Sequence, residues 1–515
     1  MTLRHDKSDN LNDFNPSRIV FMKISSFTKP SNSFSGNVLK LVSGTTFAQA
    51  ISILTAPILT RLYAPEAFGI VALFTSIAGI LGVIVCLRYE MAIMLPERDE
   101  EAANLLGVCL GFTLLISLLL IPIVWCGRAP LVKWLNAPSL ESYLWLVPLV
   151  VFISGVFLAL NYWNSRTKHF GRLSIATVTS SLTYTPLTLG LGLAGRATAG
   201  SMIGAGIAGQ AVATSVLGGQ IWRDDRSVFL KSIRWRLMWM GMKRHKKFPL
   251  INTWSALMNT MSASLPTLML AAFFSSTVVG FYALGYKLLS LPMSLIAGAI
   301  GQVFFQRAAK AKNEGTLPLV VERMLLRHVS LGLFPLLLVM VIGKDIFSVI
   351  FGNQWADAGV YAQILAPLIM FQYIGSPLST LFSVLEIQGA GLLFNSILLV
   401  TRIASLVIGG FLNSILLALM LFAITGAIMY FGFCLFLLKK SGVSMSMLVS
   451  RALQMFVIVV ISLLPVAILK GFGAQSLIAV IAGCLSLPLY YLILYLRDDE
   501  LKKLVADFWG RRKSI

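Results

Sequence analysis

Apolar runs of roughly 20 residues, enough to cross a bilayer core of about 30 Å as a helix, recur almost without pause from residue 38 to residue 496. Composition agrees with that reading. Hydrophobic side chains make up 57% of the 515 residues and charged ones 12%, with a mean hydropathy of +0.82. Soluble domains carry about 25% charged residues, so the chain is predicted to be an all-α polytopic membrane protein.

Spans are expected at residues 38–61, 70–87, 105–125, 144–163, 173–193 and 197–221, and after a long basic link at 251–273, 279–304, 331–350 and 364–384. Four more follow, at 392–412, 415–438, 452–469 and 477–496, for about fourteen in all. The net charge of +21 is then tested by position, because Lys and Arg collect on the cytoplasmic side of membrane proteins. With both termini inside, about 33 of them fall in inner segments and about 6 in outer ones. Topology therefore accounts for the basic surplus, and nucleic acid is not expected as a partner.

The expected organisation is a disordered cytoplasmic extension at 1–37, a six-helix lobe at 38–221 and a basic interfacial linker at 222–250. A second six-helix lobe follows at 251–438, then two additional helices at 439–496 and a cytoplasmic tail at 497–515. In the linker, Trp235 and Trp239 interleave with Lys and Arg, as in a helix lying in the headgroup layer. Residues 1–37 lack the apolar core and cleavage site of a signal peptide, and Met22 is an alternative start. Cys86, Cys109, Cys434 and Cys484 lie in apolar runs and are expected to be buried free thiols.

A weak internal repeat supports two parallel halves. Placing Gly69 on Gly280 aligns G-I-V-A-L-F with G-F-Y-A-L-G, and sets Ser76 against Lys287. Lys287 and Arg402 fall well inside predicted helices, while Arg61, Arg88 and Lys40 lie near helix ends. None of the 21 acidic residues is expected deep in a span, Glu66, Glu90 and Glu386 being the nearest. Charge inside hydrocarbon is costly, so cations without acids point to an anionic substrate such as a phosphate or pyrophosphate. Snorkelling is the competing account for Arg61, Arg88 and Lys40, and a structural role for the other two. Gln49, Asn252, Asn259, Ser262 and Ser264 add polar groups to the first and seventh spans, available to sugar hydroxyls or to neighbouring helices.

The sequence offers little for catalysis. There is no GxxxxGK[ST] phosphate loop, the four histidines have no metal-site spacing, and the outer links are short. No metal, cofactor or enzymatic activity is expected, and a transporter is the better class.

Four segments carry a family likeness: TRLYAPEAFG (60–69), RYEMAIMLPERDEEAANL (88–105), YWNSRTKHFGRLS (162–174) and IFGNQWADAG (350–359). They resemble the polysaccharide transporter, or O-antigen flippase, family of the multidrug, oligosaccharidyl-lipid and polysaccharide exporter superfamily. The resemblance implies two lobes around a central cavity lined by helices one, two, seven and eight, with alternating access. It also implies flipping of undecaprenyl-pyrophosphate-linked oligosaccharide across a bacterial inner membrane for O-antigen, capsule or exopolysaccharide assembly. A polysaccharide polymerase and chain-length machinery are the partners it implies. The substrate-binding candidates are then Lys287, Arg402, Arg88, Arg61, Gln49, Asn252 and Asn259. Two alternatives stand beside it: a cation-coupled multidrug exporter of the same fold, which needs an intramembrane carboxylate, and a membrane-bound glycan enzyme.

Overall fold

The computed structural model describes residues 34–291, 293, 298–497 and 502. Most of the expected N-terminal extension and C-terminal tail lies outside the described residues. Among those described, eleven helices are long and apolar enough to cross a membrane, which is compatible with fourteen spans.

The first lobe comprises α1 (Phe34–Leu62), α2 (Pro65–Ile84), α3 (Asp99–Trp134), α4 (Val147–Arg166), α5 (Phe170–Leu193) and α6 (Ala199–Ser232). A short amphipathic helix, α7 (Trp235–Arg244), leads to the second lobe. That lobe contains α8 (Thr253–Phe273), α9 (Ser276–Leu289), α10 (Gly298–Glu314), α11 (Leu317–Phe351), α12 (Ala356–Leu378), α13 (Gln388–Phe411) and α14 (Ile415–Lys440). The chain ends in α15 (Met445–Gly471) and α16 (Ser476–Arg497).

Two differences from the expected spans have local causes. Helix α3 begins at Asp99, and the acids Asp99, Glu100 and Glu101 in its first turn complement the positive end of the helix dipole. Residues 222–232 of the expected linker continue α6, so that only Trp235–Arg244 forms a separate helix. The break between them is tied by Asn104, whose amide donates to Ser232 O at 2.8 Å and accepts from Arg234 N at 2.9 Å. Of the eighth span, expected as one helix over 279–304, the described residues form α9, ending at Leu289, and α10, beginning at Gly298.

Within the lobes, α5 packs on α1 and α6, and α12 on α9, α11 and α14. The pair α15–α16 docks along α11. Tyr490 stacks on Phe334 with ring centroids 4.7 Å apart, and the Tyr490 and Tyr491 hydroxyls donate to Ser330 O and Leu331 O, both at 2.8 Å. Ion pairs pin both ends of this contact, Arg451 to Glu322 at 3.2 Å and Lys470 to Asp345 at 2.7 Å. This corrects the expectation that Glu66, Glu90 and Glu386 are the acids nearest the spans: Asp345, inside the expected span 331–350, is 3% exposed and Glu322 6%, both on α11. Each is matched by a cation from α15, which offsets the desolvation of a buried carboxylate. Cys484, expected to be buried, is exposed on α16, whereas Cys86, Cys109 and Cys434 are buried free thiols.

Candidate functional site: the seam between the lobes and the groups below it

The lobes meet at the end of the bundle where the links are poor in Lys and Arg, through α2 against α8 and α9 and α1 against α11. The closest approach is between the two repeat-related glycines. A Cβ on Gly280 would fall on Pro65 O and 3.1 Å from Gly69 N, and one on Gly69 would fall on Ser276 O and 3.0 Å from Gly280 N. Two backbones can approach that closely only where neither helix carries a side chain.

Beside the crossing, Trp355 of the second lobe is completely buried and donates its Nε1–H to Thr60 O of the first at 2.7 Å. Gln354 Nε2 donates to the same oxygen at 2.6 Å. Thr60 lies in the last turn of α1, where helix carbonyls have no intrahelical donor, so the second lobe caps a helix of the first. The Trp355 ring makes edge-on contacts with Phe68 at 4.9 Å and Phe281 at 5.9 Å, one from each lobe. Arg61 reaches across to Val349 O at 3.4 Å, and Asn136 donates to Phe274 O at 2.9 Å. The structure thus places Arg61 in the seam, away from the other candidates.

Seven residues beyond Gly280, two helical turns toward the basic end, stands Lys287. At 100° per residue it shares the face that Gly280 presents to α2, and Ser76 stands in the same relation to Gly69. Lys287 is exposed, although it is about 16 Å from the start of α9 and so near the middle of a bilayer core of about 30 Å. No carboxylate pairs with it among the described residues.

Arg402 lies at the same level, about 14 Å from the end of α13. It donates to Ser262 Oγ of α8 at 3.4 Å, its guanidinium lies 5.9 Å from the Phe422 ring, and the buried Nε has no partner. On α8, Asn259 is exposed and Asn252 half-buried in the π-helical turn Phe248–Asn252 that precedes it. Gln49 is half-buried on α1, its Oε1 without a partner. The side chain of Lys40 lies outside the described residues.

Arg88 belongs to a separate cluster at the basic end of the first lobe. Leu87 and Arg88 take positive φ, +49° and +60°, which turns the chain out of α2. Arg88 Nη1 then pairs with Glu90 at 3.3 Å. Glu90, expected in a link, is fully buried in the short helix Tyr89–Ala92. Burial pushes its carboxyl above the ordinary range, with its own backbone N–H and Arg88 holding it back in part. Arg166 clamps the following link, donating to Asp99 Oδ1 at 2.9 Å, Ile93 O at 3.0 Å and Pro96 O at 2.7 Å. Trp163 Nε1 donates to Asp225 at 3.0 Å, and Arg172 to Asp224 at 2.7 Å. Sequence reasoning singled out these segments as motifs, and the structure shows why they go together: they fold into one buttress.

Arg88→Ala is expected to lower stability by about 3 kcal/mol, the low end for breaking a buried pair, because Arg88 is 24% exposed. Adding Glu90→Gln to it is expected to restore most of the loss. Because burial raises the Glu90 carboxyl in the fold, stability is expected to fall as pH rises from the ordinary carboxylate range through the raised value. Thermal unfolding of the purified variants against pH reads both effects, and an R88A loss that E90Q does not relieve contradicts the pairing.

Residues 58–360 match a family described as polysaccharide biosynthesis protein, a stretch that covers the seam, Lys287 and the buttress. The chain belongs to that family. Over 159 residues it is 27% identical to the lipopolysaccharide biosynthesis protein WzxC of Escherichia coli (strain K12), covering 31% of this chain and 32% of that one. Over 138 residues it is 26% identical to the teichuronic acid biosynthesis protein TuaB of Bacillus subtilis (strain 168), covering 27% and 29%. The alignments thus span less than a third of either relative's length. Among solved structures, the lipid II flippase MurJ in an inward closed conformation superposes with a TM-score of 0.67 at 12% identity, covering 88% of this chain and 98% of that one. An inward-facing multidrug resistance MATE family transporter of the MOP superfamily gives 0.58 at 15% identity, covering 76% and 94%. This family member therefore shares the fold of these two structures and is a multi-pass membrane protein.

Proposed function

We propose that the protein flips undecaprenyl-pyrophosphate-linked oligosaccharide from the cytoplasmic to the periplasmic leaflet of a bacterial inner membrane by alternating access. The observation that carries this reading is Lys287: an exposed cation at mid-membrane depth, on the seam face of its helix, with no acid beside it among the described residues. An ammonium held there is costly unless it meets water and an anionic ligand. The bias of Lys and Arg supports a cytoplasmic basic end, which makes the closed seam periplasmic and Lys287 accessible from inside. A pyrophosphate headgroup entering between the lobes would find Lys287 first, with Arg402 at the same level behind α8. Asn259 on α8, Asn252 in the turn before it and Gln49 on α1 are the groups assigned to the sugar.

The exporter alternative has the buried carboxylates Glu90, Asp345 and Glu322 in its favour, but each is paired with a cation, Arg88 at 3.3 Å, Lys470 at 2.7 Å and Arg451 at 3.2 Å. Proteoliposomes loaded with a fluorescent lipid-linked oligosaccharide decide the matter. The glycan should become accessible to an impermeant lectin on the far side at a rate that scales with protein. A rate equal to that of protein-free vesicles, together with export of a cationic dye, would replace this reading with the exporter.

A further inference from the structure

The segment IFGNQWADAG (350–359) is a motif to which the anion site gives no task, and its tryptophan is completely buried in the seam. Trp355 sits in the 3-10 turn Asn353–Trp355 between α11 and α12, and that turn is positioned by Gly352 at φ +102°, a value that favours glycine. The turn therefore presents Gln354 and Trp355 together to the end of α1, where both donate to Thr60 O. On the other side, Tyr63 is anchored through its hydroxyl to Thr188 O at 2.7 Å, which fixes the end of α1 within the first lobe.

We propose that Trp355 is the latch of the seam: its bond to Thr60 O holds the two lobes together at the charge-poor end, and this bond must break each time that end opens. The inference rests on the alternating-access reading above and assigns it a specific positioning residue. Trp355 suits the task because its contacts with the first lobe are a hydrogen bond to a backbone carbonyl and ring contact with Phe68, with no ion pair. Such a contact is short in range and insensitive to salt, so it is lost completely once the lobes separate by a few ångströms. It also makes no demand on the side chain at position 60, because the acceptor is main chain. Gln354 shares the acceptor and forms the weaker half of the latch, being only partly buried in its bond.

The test reads lobe separation rather than transport. Spin labels are placed at Leu193→Cys, at the exposed end of α5, and at Leu412→Cys, at the exposed end of α13, after replacement of the five native cysteines. Electron-electron distance measurement on the labelled chain in nanodiscs should give a predominantly short distance. Trp355→Phe keeps the ring and removes the N–H, and should raise the ratio of long to short distances roughly fivefold, the worth of one hydrogen bond. Trp355→Ala should raise it further and Gln354→Ala less. Where Trp355→Ala does not purify as a single species, Trp355→Phe and Gln354→Ala carry the comparison. An unchanged distribution in Trp355→Phe and Gln354→Ala overturns the latch. Widening in these variants, combined with a wild-type protein that moves no lipid-linked glycan, keeps the latch and removes the flippase reading.

Discussion

Lys287→Ala lowers the rate of glycan flipping at least tenfold, while Lys287→Arg retains most of it. A charge-assisted hydrogen bond is worth about 1.5–3 kcal/mol, and each 1.4 kcal/mol is a factor of ten. The Lys287 ammonium has no intramolecular acid among the described residues, so its removal leaves no carboxylate stranded and should cost little stability. Loss of transport without loss of melting temperature therefore separates a ligand-binding lysine from a structural one. Lys287→Glu should be worse than alanine, because a carboxylate at that point repels the headgroup. The assay is the lectin-accessibility measurement in proteoliposomes, and normal rates in the alanine variant would remove Lys287 from the site.

The second large effect is at the glycine crossing. Gly69→Val places a Cβ on the carbonyl oxygen of Ser276, and Gly280→Val places one on that of Pro65. Both obstacles are backbone, which cannot rotate aside as a long side chain would. Either substitution should keep the seam from closing and reduce flipping more than tenfold, with the long spin-label distance predominant. Gly79→Val on the same helix meets nothing within 4 Å and serves as the neutral control. Equal effects at Gly69 and Gly280 are expected because the approach is mutual.

The helical architecture was legible because span length and charge bias are properties of short windows. The pairing of Gly69 with Gly280 was legible in a different way. An alignment of two halves placed them at equivalent positions, and an approximate two-fold arrangement brings such positions to one axis, where they touch. Other features depend on partners distant in sequence. Asp345 is tolerated in α11 because Lys470 and Ser476, more than a hundred residues later, both reach Oδ1 at 2.7 Å. Arg61 is a cation near a helix end in the sequence, and its contact with Val349 O of the opposite lobe comes from a partner 288 residues away. Glu90 stood in a polar link, and only folding of that link against α3 and α4 buries it. Trp355 stands in one of the family-like segments, but its bond to Thr60 O was not legible, since a tryptophan at a helix end is equally suited to the membrane interface.

The central claim is that the protein recognises the charge of a lipid headgroup between its lobes. Its most direct test compares one fluorescent oligosaccharide carried on undecaprenyl pyrophosphate with the same oligosaccharide carried on a neutral polyprenol, in proteoliposomes of wild type and Lys287→Ala. The account predicts rapid flipping of the pyrophosphate-linked form by the wild type, slow flipping of the neutral form, and a difference that largely disappears in the variant. Equal rates for the two lipids in the wild-type protein would contradict it.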